Sequence, residues 1–405
     1  MDIMDLIDEY YSDKDLSLLK KLTLVIPTYN RNYYLSRCLW YHAHFPFGEI
    51  IVADSSLEEK KVVNRETVAK VREMFGANIR YLEYEPETEK YGGDIYRKWG
   101  DAVQHVETEY SVICTDKEFL IPLGLLESIK YLEYNLGFIA SDSNQYFIKY
   151  NSNDTPLYQF IPRRIQRSSE SSEDSLQRFT HAFVDQDSWA NCLLPALFKS
   201  NVHKEIFQQL QIYGIDDLRF GELILSYCGH LCGKYYHSKE SNYLVRDVSL
   251  HLLEIDKRQS KESSTTRYPS MSDYNIFSSP YKDFYGKYLR CMYCNIKSYA
   301  KINDLEIQDY INKIFTYNRL CKFDSYRLNR YIVNNNIIET FKGIYYRLPF
   351  VLRKQLATVA VRTVGISIPQ IPSPPLYGKY NPDLCVIEYL IQSTSKLSHN
   401  DIPII

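Results

Sequence analysis

The chain has 405 residues, 45% of them hydrophobic and 24% charged, and its formal net charge is −2. This is the composition of an ordinary globular protein, long enough for one domain of about 200–250 residues and a second one. The near-neutral charge argues neither for nor against nucleic acid, and no run of about 18 apolar residues predicts a membrane-spanning helix.

The N-terminus and the cysteines predict a cytoplasmic protein. Residues Met1–Asp5 are acidic and lack the basic region and apolar core of a signal peptide. In a chain without an export signal, the nine cysteines are expected to be reduced thiols.

Strands and helices alternate along the first 140 residues, after a short polar helix expected within residues 1–20. Strands are predicted within Leu22–Arg31, Glu49–Ser56, Ile79–Tyr84, Tyr110–Cys114 and Leu136–Ala140. Helices are predicted at Asn32–His44, Glu58–Phe75, Asp94–Val106 and Pro122–Tyr134. Such alternation predicts an α/β fold with a layered, mainly parallel sheet.

The rest of the chain is less regular. Residues 151–188 are polar and are expected to form a long surface loop or lid. Order is predicted to return near Trp189 and to continue to about Val245. The Ser/Lys-rich region suggests a linker at 251–275 between a domain of residues 1–250 and a mainly helical domain of residues 276–405.

Polar residues follow the first two predicted strands. The first turn consists of Pro27, Thr28, Tyr29, Asn30 and Arg31. The second strand ends on Asp54, which is suited either to accept hydrogen bonds from a nucleotide or simply to form a turn. In open α/β sheets the ligand binds at these strand ends, so both turns are candidates for nucleotide contacts.

Two carboxylates alternate after the fourth predicted strand, in Asp116-Lys117-Glu118. Mg²⁺ and Mn²⁺ take hard oxygen ligands, typically one or two protein carboxylates together with phosphate oxygens and water. A Mn²⁺ or Mg²⁺ site is therefore predicted at Asp116 and Glu118, and Lys117 either lies near the phosphates or points to solvent.

A further acid pair, Asp216-Asp217, opens an amphipathic helix. One interpretation is simple N-capping, because free N–H groups and the helix dipole stabilise carboxylates there. The other is a general base directed at an acceptor hydroxyl.

Several single residues have both a functional and a structural interpretation. His237 is a candidate metal ligand or a structural histidine, and Arg246 is a candidate contact for a diphosphate. Trp189 is suited to stacking on an acceptor sugar or to packing. The basic, amphipathic segment 345–365 either lies on an anionic membrane surface or docks on the catalytic domain.

These segments together resemble the family-2 glycosyltransferases, which are inverting enzymes with the GT-A fold. The resemblance runs from Leu22 to Leu225, about half the chain. It places Asp54 at the nucleotide, Asp116-Lys117-Glu118 at the D-x-D motif and Asp216-Asp217 at the late acid pair, of which Asp217 corresponds to the base. The segment from Arg97 through Lys98 to Pro122 looks closest to bacterial surface-polysaccharide transferases, and Lys98 is assigned to donor binding.

The resemblance implies sugar transfer from a UDP-, GDP- or other nucleotide-sugar to a carbohydrate or lipid-linked glycan, without nucleic acid. It also implies Mn²⁺ or Mg²⁺ as cofactor and a cytoplasmic location that extends to the inner face of the cell membrane. Lys117 interrupts the acidic motif. One alternative is therefore a catalytically degenerate GT-A protein that binds glycan or nucleotide as a scaffold. A nucleotidyltransferase is a second alternative.

Overall fold

A computed structural model describes residues 11–86, 95–150, 158–163, 168–182, 193–215, 218–247, 279–300, 302–307 and 311. Asp216, Asp217 and Trp189 lie outside the described residues, as do the predicted linker 251–275 and the segment 345–365. The division into residues 1–250 and 276–405 stays a prediction.

The first part of the chain alternates between helices and strands in the predicted order, except that an unpredicted strand, Glu118–Leu120, follows Tyr110–Ile113 without a helix between them. Its helices are α1 (Asp13–Leu19), α2 (Asn32–His42), α3 (Glu58–Phe75), α4 (Ile95–Gln104) and α5 (Pro122–Tyr134). Its strands are β1 (Leu22–Thr28), β2 (Glu49–Asp54), β3 (Ile79–Glu83), β4 (Tyr110–Ile113) and β5 (Glu118–Leu120).

The second part supplies four more strands and four more helices among the described residues. The strands are β6 (Phe138–Tyr150), β7 (Tyr158–Arg163), β8 (Leu197–Lys199) and β9 (Lys234–Asp247). The helices are α6 (Ser175–Thr180), α7 (Ser200–Ile212), α8 (Leu218–Cys232) and α9 (Ser279–Tyr299).

All nine strands join one sheet in the order β3-β2-β1-β4-β8-β6-β9-β5, with β7 added to β6. Strand β1 pairs in parallel with β2 and β4, and β2 does so with β3. Strand β8 is antiparallel to both β4 and β6, whereas β6 and β9 are parallel. The predicted α/β class and mixed sheet flanked by helices are confirmed.

Strands β1 and β2 are mainly apolar, as expected of central parallel strands with helices on both faces of the sheet. All residues of β1 and β2 are buried. Helix α3 ends at Gly76, whose φ of 63° allows the left-handed turn that leads into β3. This arrangement fixes the carboxyl ends of β1, β2 and β4 at one edge of the sheet.

The polar region predicted as a surface loop contains regular structure. It holds β7 and α6, and α6 begins where the Asp174 carboxylate accepts hydrogen bonds from the N–H groups of Leu176 and Gln177, at 2.8 and 3.1 Å. Arg178 in α6 donates to the carbonyl oxygens of His230 and Leu231 at the end of α8. The polar side chains here cap helices, and composition alone does not distinguish that role from solvation.

Strand β6 also continues beyond its predicted end at Ala140, through a run of polar residues. Residues 141–145 are all buried in the sheet. Ser141 donates to the Ser128 hydroxyl at 3.1 Å, and the Asn144 amide donates to the Lys239 carbonyl at 2.7 Å. Hydrogen bonds of this kind allow a polar sequence to occupy a central strand.

Among the described helices, none combines the length and the low polarity needed to cross a lipid bilayer.

A buried histidine makes the fold sensitive to acid. The Nδ1 atom of His203 lies 2.8 Å from the Ser111 hydroxyl, the ring stacks on Phe198, and burial lowers the pKa of His203 to about 3. On acidification the unfolded chain takes up the proton first, at its ordinary pKa of about 6.5, so stability falls as the pH drops below that value. We expect His203 to account for a loss of about 2 kcal/mol between pH 7 and pH 5.

Urea unfolding of the wild-type protein and His203→Gln at both pH values measures this contribution. The variant is expected to show a correspondingly smaller loss of stability on acidification. An identical pH dependence in the two proteins would contradict the assignment.

Candidate functional site

Three predicted strand-end segments come together at one edge of the sheet. Thr28 is aligned with Asp54 on the neighbouring strand, and the Thr28 hydroxyl donates to Asp116 Oδ2 at 2.9 Å. Residues separated by 88 positions along the chain are therefore in direct contact. This edge is where ligands bind in open α/β sheets.

Asn30 holds the turn after β1 against the turn after β2. Its φ of 54° lies in the left-handed region, which asparagine tolerates better than most residues. Its backbone N–H donates to Ser56 Oγ at 2.8 Å, and its side-chain oxygen accepts from the N–H of Leu57 at 2.9 Å. Two hydrogen bonds therefore join the loops at the ends of β1 and β2.

The conformation of Asn30 gives a stability prediction. Asn30→Ala loses the bond to Leu57 and forces alanine into the left-handed region, so we expect a loss of about 1–2 kcal/mol in the free energy of unfolding. Asn30→Gly loses the same bond but accepts the backbone conformation, and it should cost less than half as much. Urea unfolding of both variants checks this order, and equal losses would contradict it.

Asp54 is fully buried and has its carboxylate occupied by protein groups. Oδ1 accepts from the N–H of Ser56 at 2.7 Å, and Oδ2 accepts from Asn64 Nδ2 at 2.7 Å and from the Tyr81 hydroxyl at 2.5 Å. Burial and the Asp54 carboxylate together raise the pKa of Tyr81. Asp54 is thus buried beneath the loop that it shapes.

The partners of Asp54 were not predicted from the sequence. Ser56 was assigned only to the end of a strand, and Asn64 and Tyr81 lie in segments taken as an ordinary helix and strand. The one sequence signal for them is the Asp54-Ser55-Ser56 turn itself, since such turns hydrogen-bond to their own backbone.

Lys98 brings a buried cation to the same edge. It lies on α4 and is only 2% exposed. Its ammonium group donates to the carbonyl oxygen of Thr28 at 3.2 Å and to Ser55 Oγ at 2.8 Å. Lys98 therefore lies between the ends of β1 and β2, and its assignment to donor binding stays a prediction.

Asp116 lies in the turn after β4 and is 2% exposed. Burial raises the pKa of Asp116, and the charge of Arg31 and the hydrogen bond from Thr28 oppose that rise. One Arg31 Nη atom is 3.3 Å from Asp116 Oδ1, while Oδ2 accepts from Thr28. Both carboxylate oxygens therefore already have donors within the protein.

Glu118, the other predicted metal ligand of the triplet, begins β5 and is also 2% exposed. It is aligned with Arg246 on β9, and its Oε1 accepts two hydrogen bonds from that guanidinium group, one of them from Nε at 2.7 Å. Its Oε2 accepts from the N–H of Thr115 at 3.3 Å. Glu118 is therefore the buried partner of an arginine.

His237, the third predicted metal ligand, lies elsewhere on β9. Its Nδ1 is 2.6 Å from Asp142 Oδ1, an atom that also accepts a hydrogen bond from Tyr235. In the sheet, His237 is aligned with Asp142 of β6, and Arg246 is aligned with Phe147 of the same strand. Asp142 and Phe147 are five residues apart, so His237 lies about 17 Å along the sheet from Arg246. The structure does not bring His237 together with Asp116 and Glu118.

As folded, the Asp116–Glu118 turn does not fit a divalent cation. The two carboxylates each face an arginine, and Lys117 lies between them in sequence. A cation at this turn would displace these partners and would be repelled by their charges. The metal assignment stays a sequence-based prediction.

Within the described part of the chain, one group of three residues has ligand atoms close enough for a metal: Cys38, His42 and Cys114. His42 Nδ1 lies 2.8 Å from the Cys38 carbonyl oxygen, and Nε2 accepts the N–H of Leu120 at 3.1 Å. Both ring nitrogens are thus committed to the backbone, and the imidazole has no lone pair for a metal. The thiols of Cys38 and Cys114 donate to the carbonyl oxygen of Glu118, so this cluster packs against the Asp116–Glu118 turn.

The comparisons with known proteins add distant structural likenesses. Neither a protein-family model nor a curated protein matches the chain. A crystal structure of S. aureus TarS aligns with a TM-score of 0.41 and 13% identity, covering 74% of this chain and 43% of that chain. This chain therefore spans less than half the length of that TarS chain. S. aureus TarS 1-349 in complex with UDP-GlcNAc aligns with a TM-score of 0.44 and 12% identity, covering 81% of this chain and 76% of that one. The complex of the same fragment with UDP gives a TM-score of 0.44, 12% identity and coverages of 83% and 77%.

Proposed function

We propose that this protein transfers a sugar from a nucleotide-sugar donor to a carbohydrate acceptor. The observation that carries the proposal is the position of three basic residues near the carboxyl ends of β1, β2 and β4: Arg31 and Arg246 pair with the acids of the Asp116–Glu118 turn, and Lys98 contacts the ends of β1 and β2. A nucleoside diphosphate is a dianion or trianion, and guanidinium and ammonium groups are its natural partners.

In the proposed reaction, an acceptor hydroxyl attacks the anomeric carbon on the face opposite the nucleotide. The new bond joins the acceptor oxygen to that carbon. The bond from carbon to the phosphate oxygen breaks, and its electron pair leaves with the nucleoside diphosphate. Asp217 accepts the hydroxyl proton. The basic side chains at the strand ends offset the charge that develops on the leaving group, and the single displacement inverts the anomeric configuration.

The position of Asp217 in the sequence supports its role as the base. Helix α8 begins at Leu218, the next residue, and its C-terminal carbonyl groups accept the hydrogen bonds of Arg178. The dipole of a helix favours a carboxylate next to its first residue.

The setting of the reaction is also part of the proposal. The donor carries uridine, guanosine or another nucleoside, and the acceptor is a glycan of a bacterial surface polysaccharide, free or lipid-linked. Segment 345–365 is basic and amphipathic in sequence, which would hold the enzyme at the cytoplasmic face of the membrane.

A thermal-shift screen of nucleoside mono-, di- and triphosphates tests the proposal. We expect a nucleoside diphosphate to raise the melting temperature more than the corresponding monophosphate, and its sugar conjugate to be turned over with an acceptor glycan. Lack of a shift with any nucleotide would refute the binding claim. A diphosphate that binds without turnover of any sugar conjugate would favour the scaffold, and pyrophosphate release from a triphosphate would favour a nucleotidyltransferase.

Lys98 gives a direct test of the anion site. Lys98→Met keeps the volume and removes a buried charge, and hydrogen bonds to charged groups contribute about 1.5–3 kcal/mol, so the affinity for the nucleoside diphosphate should fall about 10–100-fold. Lys130→Met is the matched control, because Lys130 pairs with Asp15 on the α1–α5 surface. Titration calorimetry measures both variants, and equal affinities in the two would contradict the role of Lys98.

A further inference from the structure

Both carboxylates of the acidic turn lie behind an arginine. Asp116 and Glu118 have side chains that are 2% exposed, whereas those of Arg31 and Arg246 are 36% and 37% exposed. A ligand that approaches this turn from solvent therefore meets guanidinium groups before it meets a carboxylate.

The two arginines pair with acids that belong to one short turn. The N–H of Glu118 donates to the carbonyl oxygen of Thr115 at 2.9 Å, which closes the turn around Asp116. Arg31 reaches it from the loop after β1, and Arg246 reaches it from β9. The two arginines come from distant parts of the chain, and both form ion pairs with acids of this turn.

The pairing also accounts for the burial of the acids. An unpaired buried carboxylate is costly, and a guanidinium fork satisfies its lone pairs with little loss of flexibility. Glu118 Oε1 accepts from two nitrogens of Arg246, which fixes the plane of that guanidinium group. The carboxylate is then a positioning residue for the arginine.

We propose that Arg31 and Arg246 bind the diphosphate of the donor in place of a divalent cation, and that Asp116 and Glu118 serve to position them. This inference rests on the proposed function, since it concerns how the same site holds its nucleotide. The two guanidinium groups supply the positive charge that a metal would supply to the leaving group, and Lys117 adds to it from the middle of the turn.

Titration calorimetry of the wild-type protein with UDP, and with GDP and ADP in parallel, tests the inference. Each titration is run with excess EDTA and again with excess Mn²⁺. We expect the affinity for the nucleotide that binds to differ by less than about threefold between the two conditions. This corresponds to a difference in binding free energy below about 1 kcal/mol.

Two arginine variants locate the binding charge. Arg246→Gln is expected to weaken binding in EDTA about 10–100-fold, the range for hydrogen bonds to charged groups, and Arg246→Lys should recover part of the loss. Since Arg246→Gln leaves Glu118 unpaired, the double variant Glu118→Gln/Arg246→Gln is made as well and should bind as weakly. Arg80→Gln is the matched control, because Arg80 forms a similar cross-strand pair with Glu49, with exposures of 34% and 9%.

The outcomes separate this inference from the proposed function. Binding that requires Mn²⁺ and is lost in Glu118→Gln would overturn the inference and leave the transferase proposal in place. Binding that is independent of Mn²⁺ but unchanged in Arg246→Gln would overturn it as well. Failure of every nucleotide in both conditions would overturn the proposed function itself.

Discussion

Asp217→Asn is expected to lower the rate of glycosyl transfer about 10²–10⁴-fold, the usual contribution of a general base. Asparagine keeps the size of the side chain and its capacity to cap α8, but it cannot accept the acceptor proton at neutral pH. The affinity for the nucleoside diphosphate should not change, because the base faces the acceptor in the proposed reaction. Initial rates with the sugar conjugate, together with calorimetry of the diphosphate, measure the two properties separately.

Asp216→Asn is the matched control for this experiment. It replaces the neighbouring acid of the same pair, yet the variant should retain most of the rate of glycosyl transfer. If Asp216→Asn is the inactive variant, the base is assigned to the wrong acid of the pair. If both variants are fully active, the pair only caps the helix and the single-displacement mechanism proposed here fails.

Asp54→Ala is expected to lower the free energy of unfolding by about 3 kcal/mol, because buried donors that lose their acceptor cost about 1–3 kcal/mol each. Three donors converge on this carboxylate, from Ser56, Asn64 and Tyr81. Alanine satisfies none of them and leaves a cavity at the end of β2. Urea unfolding at neutral pH measures the change.

Tyr81→Phe is the comparison for Asp54→Ala. It removes one of the three donors and leaves the carboxylate with the other two, so its cost should be nearer 1 kcal/mol. A fully stable Asp54→Ala would contradict the structural role described here, and it would return Asp54 to the role of a direct nucleotide contact.

The sequence was sufficient for the parts of the fold that depend on local pattern. The helices Glu58–Phe75 and Pro122–Tyr134 match their predicted bounds, because Gly76 follows the first and Pro122 begins the second, and both are helix end signals. Strand β1 also lies where the apolar run and its polar turn predict. The confirmed α/β class follows from the order of these elements.

The partners within the site could not be predicted in the same way. Arg246 pairs with Glu118 across 128 positions, and this pairing depends on the register of β9 against β5. Alternating acids on a loop predict a metal when they are read alone, and only the fold shows that an arginine already faces each of them. The buried residues 141–145 were missed for a related reason, because their hydrogen-bond partners come from other elements.

Hydrogen exchange measured by mass spectrometry, with and without a nucleoside diphosphate, tests most directly the claim that the strand ends form the donor site. Bound nucleotide should slow exchange in the peptides that cover Thr28–Arg31, Ser55–Leu57 and Thr115–Glu118, and it should leave β3 and α9 unchanged. Protection confined to other regions, or none at saturating nucleotide, would contradict the account.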